Sequence, residues 1–190
     1  MQGRGECSVL ITCGSTEQSL RTSRPDTTTC LIHPFFWTPA RRLNFLQDAS
    51  DRFEIMCRDP REPALVTLET GAYEVVGNNW PSRLDRVFVE NLGKFRKYDG
   101  RSVQDLLRAL RNKVRFFIDC ALSMLSHYQK HHYQDLPDHV KRHLGPLPDG
   151  FLGYFTRRFP ALFLHVHGVV WRCGLSRESM FQSYFKLPDP

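Results

Sequence analysis

The chain has 190 residues, 41% of them hydrophobic, with 14 phenylalanines and a formal net charge of +6, and its isoelectric point is near 9.1. That length buries one respectable core, the apolar content excludes a disordered chain, and the charge suits a polyanionic partner. No apolar run approaches the roughly 20 residues that cross a bilayer, and Cys7, Cys13, Cys30, Cys57, Cys120 and Cys173 form no CxxC pair, so they read as free thiols with no zinc site.

Residues 1–23 are rich in Gly, Ser, Thr and Gln and read as a poorly ordered tail. Thr38-Pro39 is a helix start, a cap followed by a first-turn proline, and Leu43, Leu46, Phe53 and Met56 mark the buried face of a helix reaching about Cys57. Asp59-Pro60 breaks it. A short helix follows over 63–70, stopped at Gly71. Tyr73 to Val76 alternates weakly and reads as extended. After the turn GNNWP, in which Trp80 reads as a core plug, residues 83–92 form another short helix.

Ser102 then caps a helix, and Asp105 stands near the positive end of its dipole. Val103, Leu106, Leu107 and Leu110 fall at i, i+3, i+4 and i+7, so one face is apolar. Arg111, Asn112 and Lys113 come at the far end, where side chains reach solvent. Further on, Pro137 starts a helix ending at Leu144, with His139 and His143 read as surface residues, and Asp149 opens one carrying Phe151, Phe155 and Phe159 along a side. The run ALFLHVHGVVWRC is apolar nearly all round and reads as the central core helix, with His165 and His167 pointing in different directions. A last short helix covers 177–185.

Tyr98, Arg111, Asn112 and His132 together are a kit for cutting RNA without a metal. The tyrosine or the histidine takes the 2′-hydroxyl proton, the other protonates the leaving oxygen, and the guanidinium and amide hold the charged phosphorus centre. Taken alone the set is weak, since Arg-Asn-Lys at a helix end also serves simply as a solvated terminus. The runs HPFFW (33–37), LNFLQDASDR (43–52), KFRKYDGRSVQDLLRALRNK (94–113), KHHYQDLP (130–137) and LGPLPDGFLGYFTRRFP (144–160) add to it. Together they resemble the kinase-extension nuclease domain of the inositol-requiring unfolded-protein-response sensor, and more distantly ribonuclease L.

The resemblance implies an all-α fold, a compact bundle of about eight short helices over 39–186, preceded at 24–38 by the end of a protein kinase lobe. It implies a cofactor-free endoribonuclease that cleaves stem-loop RNA, leaving a 2′,3′-cyclic phosphate and a 5′-hydroxyl. Tyr98 and His132 would transfer protons, Arg111 and Asn112 would stabilise the phosphate, and Lys113 and Lys130 would contact the RNA backbone. It also implies a homodimer, aligned by kinase lobes, on the cytosolic face of the endoplasmic reticulum membrane. This chain contains no glycine-rich loop, HRD or DFG, so no kinase activity is expected of it. Residues 1–23 scarcely match the family, so the gene reads as truncated or misassembled with most of a kinase domain lost; with no apolar run long enough to cross a bilayer and the family's anchor missing, the chain as given is expected to be soluble and cytoplasmic.

One departure stands out. Family members run from RNK into KHHY almost without interruption, whereas residues 114–129 lie between them here. Val-Arg at the start and Tyr-Gln at the end of this segment are encodable by strings resembling splice sites, so it reads as a short retained intron, with a lineage-specific loop as the alternative. Val114, Phe117, Ile118, Ala121, Leu122 and Leu125 continue the apolar spacing, which predicts one helix from Ser102 to about His127. At ~1.5 Å per residue His132 would then stand on the order of 30 Å from Arg111. Impaired cleavage is therefore expected, with a non-catalytic fragment that binds RNA or pairs with the intact sensor as the second reading.

Overall fold

Phe45 is the residue on which the two ends of the fold close. It is fully buried, and its ring meets Trp37 at 5.3 Å, Tyr184 at 5.2 Å, Phe181 at 5.9 Å and Phe163 at 6.1 Å. The structure is a computed structural model in which residues 27, 32–93, 96–122, 142 and 144–186 are described. Among them are eight α-helices, three short 3-10 turns and no strand. The tail, Arg24-Pro25, the expected helix at 137–144 (except Arg142 and Leu144) and the histidines at 139 and 143 lie outside the described residues.

The first helix, α1, spans Pro39–Glu54 and begins as its sequence dictates: Thr38 is extended and its hydroxyl accepts from the Arg41 amide at 3.2 Å. Leu43, Phe45, Leu46, Ala49, Ser50 and Phe53 form its buried stripe. Helix α2 (Pro63–Glu69) ends at Thr70, as Gly71 requires. Residues 72–76, which alternate in sequence, are not extended but form a single-turn helix, α3 (Ala72–Val76). Gly71 at φ +77° starts it and Gly77 at φ +69° ends it, so turn chemistry on both sides overrides a weak β pattern.

Helix α4 covers Arg86–Gly93, and α5 covers Val103–Leu122. Val103, Leu106, Leu107 and Leu110 are fully buried against α1. Ser102 Oγ accepts from the Asp105 amide at 3.1 Å, as a cap should. Asp105 stands in the first turn as expected, and a second carboxylate joins it there. Glu69, at the end of α2, accepts from the Val103 and Gln104 amides, both at 3.0 Å, and from the Ser102 hydroxyl at 2.8 Å, a carboxylate set on the positive end of the dipole. Asp105 accepts from the Asp99 amide at 2.6 Å and pairs with Arg108.

Three helices complete the bundle: α6 (Asp149–Arg158), α7 (Leu162–Arg172) and α8 (Ser179–Phe185). Phe151, Phe155 and Phe159 are buried as their spacing predicts. Tyr154 donates to Asp85 at 2.7 Å, and burial with that bond pushes its phenol up to about 12. Helix α7 is not buried all round. Its Leu164 and Trp171, seven residues apart on one face, are each 59% exposed, while the rest of the helix packs on α1, α2 and α3.

His165 bonds the Leu68 carbonyl at 2.8 Å, while His167 lies among aromatic rings, 5.0 Å from Phe185 and 5.5 Å from Trp37. Burial, with a smaller contribution from His33, lowers the His167 pKa to about 4. The folded imidazole thus binds its proton more weakly than the unfolded one, and stability falls as pH drops from about 6.5 towards 4 and is flat above. Thermal melts from pH 4 to 7.5 should show that slope in the parent and lose part of it in His167→Phe, whose ring fits the same aromatic surroundings.

Candidate active site

Three of the expected residues meet on one patch, and the way each is placed differs. Tyr98 lies on the stretch 96–101, which has no regular structure of its own and is pinned from outside. Trp80, buried as a core plug, donates its indole N–H to the Asp99 carbonyl at 2.9 Å and its backbone N–H to the Gly100 carbonyl at 2.9 Å. A Cβ at Gly100 would come within 2.1 Å of Asn79 Oδ1, so a larger residue here forces the Asn79 side chain to shift. The Tyr98 ring then stands edge-on to the Trp80 ring at 5.9 Å.

Arg111 and Asn112 lie in the middle of α5 and not at its far end, because the helix runs on unbroken to Leu122. Their surroundings are correspondingly less open than a helix terminus. Arg111 is 8% exposed. Its Nη1 donates to Asp51 Oδ1 at 2.9 Å, and its Nε and Nη2 both donate to Asn112 Oδ1, at 3.2 and 3.1 Å. Asn112 Nδ2 in turn donates to Tyr98 Oη at 3.2 Å. The result is a continuous chain from a carboxylate on α1, through a guanidinium and an amide on α5, to a phenol on the loop. Because Oη accepts from Asn112, its own proton is free to point elsewhere, towards a substrate oxygen.

Lys113 is placed differently from its expected role as an RNA backbone contact. It is 6% exposed and its ammonium donates to Asn91 Oδ1 on α4. A position one residue beyond Asn112 turns about 100° around the helix, here into the packed side of α5. His132 and Lys130 lie outside the described residues. The sequence reading assigned no role to Asp51, Asn91 or the Trp80 anchor of the loop. Only Asp51 carried a signal, as part of LNFLQDASDR.

Among the described residues no group of three His, Cys, Asp or Glu side chains is placed to hold a metal ion. No helix described is long and apolar enough to cross a membrane.

The sequence pattern of the family described as Ribonuclease 2-5A matches residues 42–130 and 128–185. The two matched segments meet at the downstream end of residues 114–129. The chain is 43% identical over 189 residues to the "Sensor for unfolded proteins in the ER ire1" of Schizosaccharomyces pombe, covering 98% of this chain and 16% of that protein. That alignment takes in nearly all of residues 1–23, which the motifs had set apart as unmatched. It is 43% identical over 166 residues to the human serine/threonine-protein kinase/endoribonuclease IRE2, covering 87% of this chain and 16% of that protein. With the Arabidopsis thaliana serine/threonine-protein kinase/endoribonuclease IRE1a it shares 36% identity over 163 residues, 86% of this chain and 17% of that protein. The chain thus spans about a sixth of the length of these relatives, and with a family pattern matched over most of its length and such identities beside it, this chain belongs to the Ribonuclease 2-5A family.

Proposed function

We propose that this chain is the ribonuclease module of an unfolded-protein-response sensor, an endoribonuclease that cleaves stem-loop RNA by transesterification without a metal. The 2′-oxygen attacks phosphorus, the bond to the 5′-oxygen breaks, and the products carry a 2′,3′-cyclic phosphate and a 5′-hydroxyl. Tyr98 and His132 are the proton-transfer pair, Arg111 and Asn112 stabilise the charged phosphorus centre, and Lys130 contacts the backbone. Lys113 is proposed as a second backbone contact, and its bond to Asn91 on α4 supports packing as its alternative role. The observation that carries this reading is the bonded chain joining Arg111, Asn112 and Tyr98. The names of the relatives, a sensor for unfolded proteins in the ER and kinase/endoribonucleases, support the setting; a homodimer on the cytosolic face of the endoplasmic reticulum membrane is part of the same proposal.

In this chain we propose that residues 114–129 impair cleavage. Helix α5 carries the backbone about 16 Å past Arg111 by Leu122, at ~1.5 Å per residue. His132 lies ten residues beyond Leu122, and since an extended chain advances at most ~3.3–3.6 Å per residue that length can span the distance back. Covalent reach thus permits assembly of the site, but nothing in the helix itself turns the chain round. The unbroken helix favours the second reading, a non-catalytic form that binds RNA or pairs with an intact sensor.

The test is incubation of a labelled stem-loop RNA with the protein in excess EDTA. Cleavage at one position, with cyclic phosphate and 5′-hydroxyl ends, is the expected outcome, slow in the full chain. Products with 5′-phosphates, or activity abolished by EDTA, would refute the mechanism, whereas tight RNA binding without cleavage would support the second reading.

A further inference from the structure

We infer that Asp51 is a positioning residue of this site: acting through Arg111, it fixes the side-chain amide of Asn112 with its nitrogen towards the Tyr98 phenol. The oxygen and nitrogen ends of an Asn amide are nearly alike in shape, so only their partners decide which end points where. A guanidinium is a donor at every nitrogen, so the end of Asn112 facing Arg111 has to be the oxygen, and both Nε and Nη2 meet it there. The nitrogen is then left facing Tyr98 Oη. This holds only while the guanidinium stays in place, and the group holding it from the far side is Asp51, through Nη1.

A purely architectural role for the pair is the competing reading. Helices α1 and α5 are already joined by buried Leu46, Phe53, Leu106 and Leu110. The Arg111 side chain is only 9% exposed beside a 31% exposed Asp51 side chain, so loss of Asp51 also lowers stability, and orientation has to be read separately from it. The mechanistic consequence of that orientation rests on the ribonuclease reading above: with Oη accepting from Asn112, the phenolic proton is left for another acceptor.

The test uses the full chain and the side-chain amide signals of Asn112 and ring signals of Tyr98 in NMR spectra. Asp51→Asn should shift both sets while the rest of the spectrum stays put, and Asp51→Glu should largely restore them. The control is Glu178→Gln, which removes a carboxylate of similar exposure paired with Arg52, the next residue on α1. Unchanged Asn112 and Tyr98 signals in Asp51→Asn would overturn the inference, as would equal shifts in the control. In cleavage assays Asp51→Asn should lower kcat by about 10-fold with KM unchanged, since misplacing a reacting group acts on the chemical step; a fall in stability with kcat intact would show the architectural role instead. If no form cleaves RNA, the ribonuclease reading fails, and the NMR comparison still decides what Asp51 does.

Discussion

Removing residues 114–129 should raise the single-turnover rate of stem-loop cleavage by about 10²- to 10⁴-fold, the usual worth of a positioned acid or base. The deletion joins Lys113 directly to Lys130. Helix α5 already runs through Lys113 with full helical geometry, so the three residues after the junction, Lys130, His131 and His132, continue its path. His132 then becomes the fourth residue after Asn112. Residues four apart on a helix are neighbours on one face, with about 5–6 Å between Cβ atoms, so the imidazole stands one turn above the Asn112 amide, on the side that meets Tyr98. The aliphatic stem of Lys130 takes over the buried place of Val114, as lysine stems do beside apolar surface. A deleted form that folds, with an unchanged melting profile, yet cleaves no faster than the parent would show that the segment is not what limits the reaction. Sequencing the transcript complements this, since a form lacking these codons is what a retained intron predicts.

In that deleted form, Tyr98→Phe should abolish most of the gain, a loss of about 10²- to 10⁴-fold in kcat with little change in KM. The substitution keeps the ring that stands against Trp80 and removes one hydroxyl, whose bond from Asn112 is made at a half-exposed position. Stability should therefore change little, because water replaces the lost acceptor. Tyr98 is the cleaner probe than Arg111, since replacing that arginine also takes the guanidinium from Asp51. Full activity in Tyr98→Phe would remove the phenol from the mechanism and leave the proton transfers to other groups.

Local patterns gave much of the helical framework because a helix face is written in nearby residues. The Thr38-Pro39 start, the Ser102 cap, the Val103/Leu106/Leu107/Leu110 stripe and the phenylalanine row of α6 depend on neighbours within two turns. The same locality misled at residues 72–76, where flanking glycines prevailed over a weak alternation. It also misled at α7, where Leu164 and Trp171 look like core residues by type but are each 59% exposed, Trp171 meeting the edge of α8 at Phe185. For α5, apolar spacing correctly carried the helix beyond Lys113, and that continuation contradicted the separate reading of Arg111 to Lys113 as a helix end.

The sequence by itself determined most of the segments that coil and most of the faces they bury, and through family motifs it named the side chains proposed for one reaction. Tertiary structure alone decided the partners: Glu69 capping a helix that begins 34 residues later, Trp80 pinning the Tyr98 loop from 19 residues away, and Asp51 bracing Arg111 across 60. The physical reason is that a cap or a stripe is fixed by backbone geometry within a turn or two, whereas a hydrogen bond between distant segments exists only once hydrophobic packing has set the distance and angle between them.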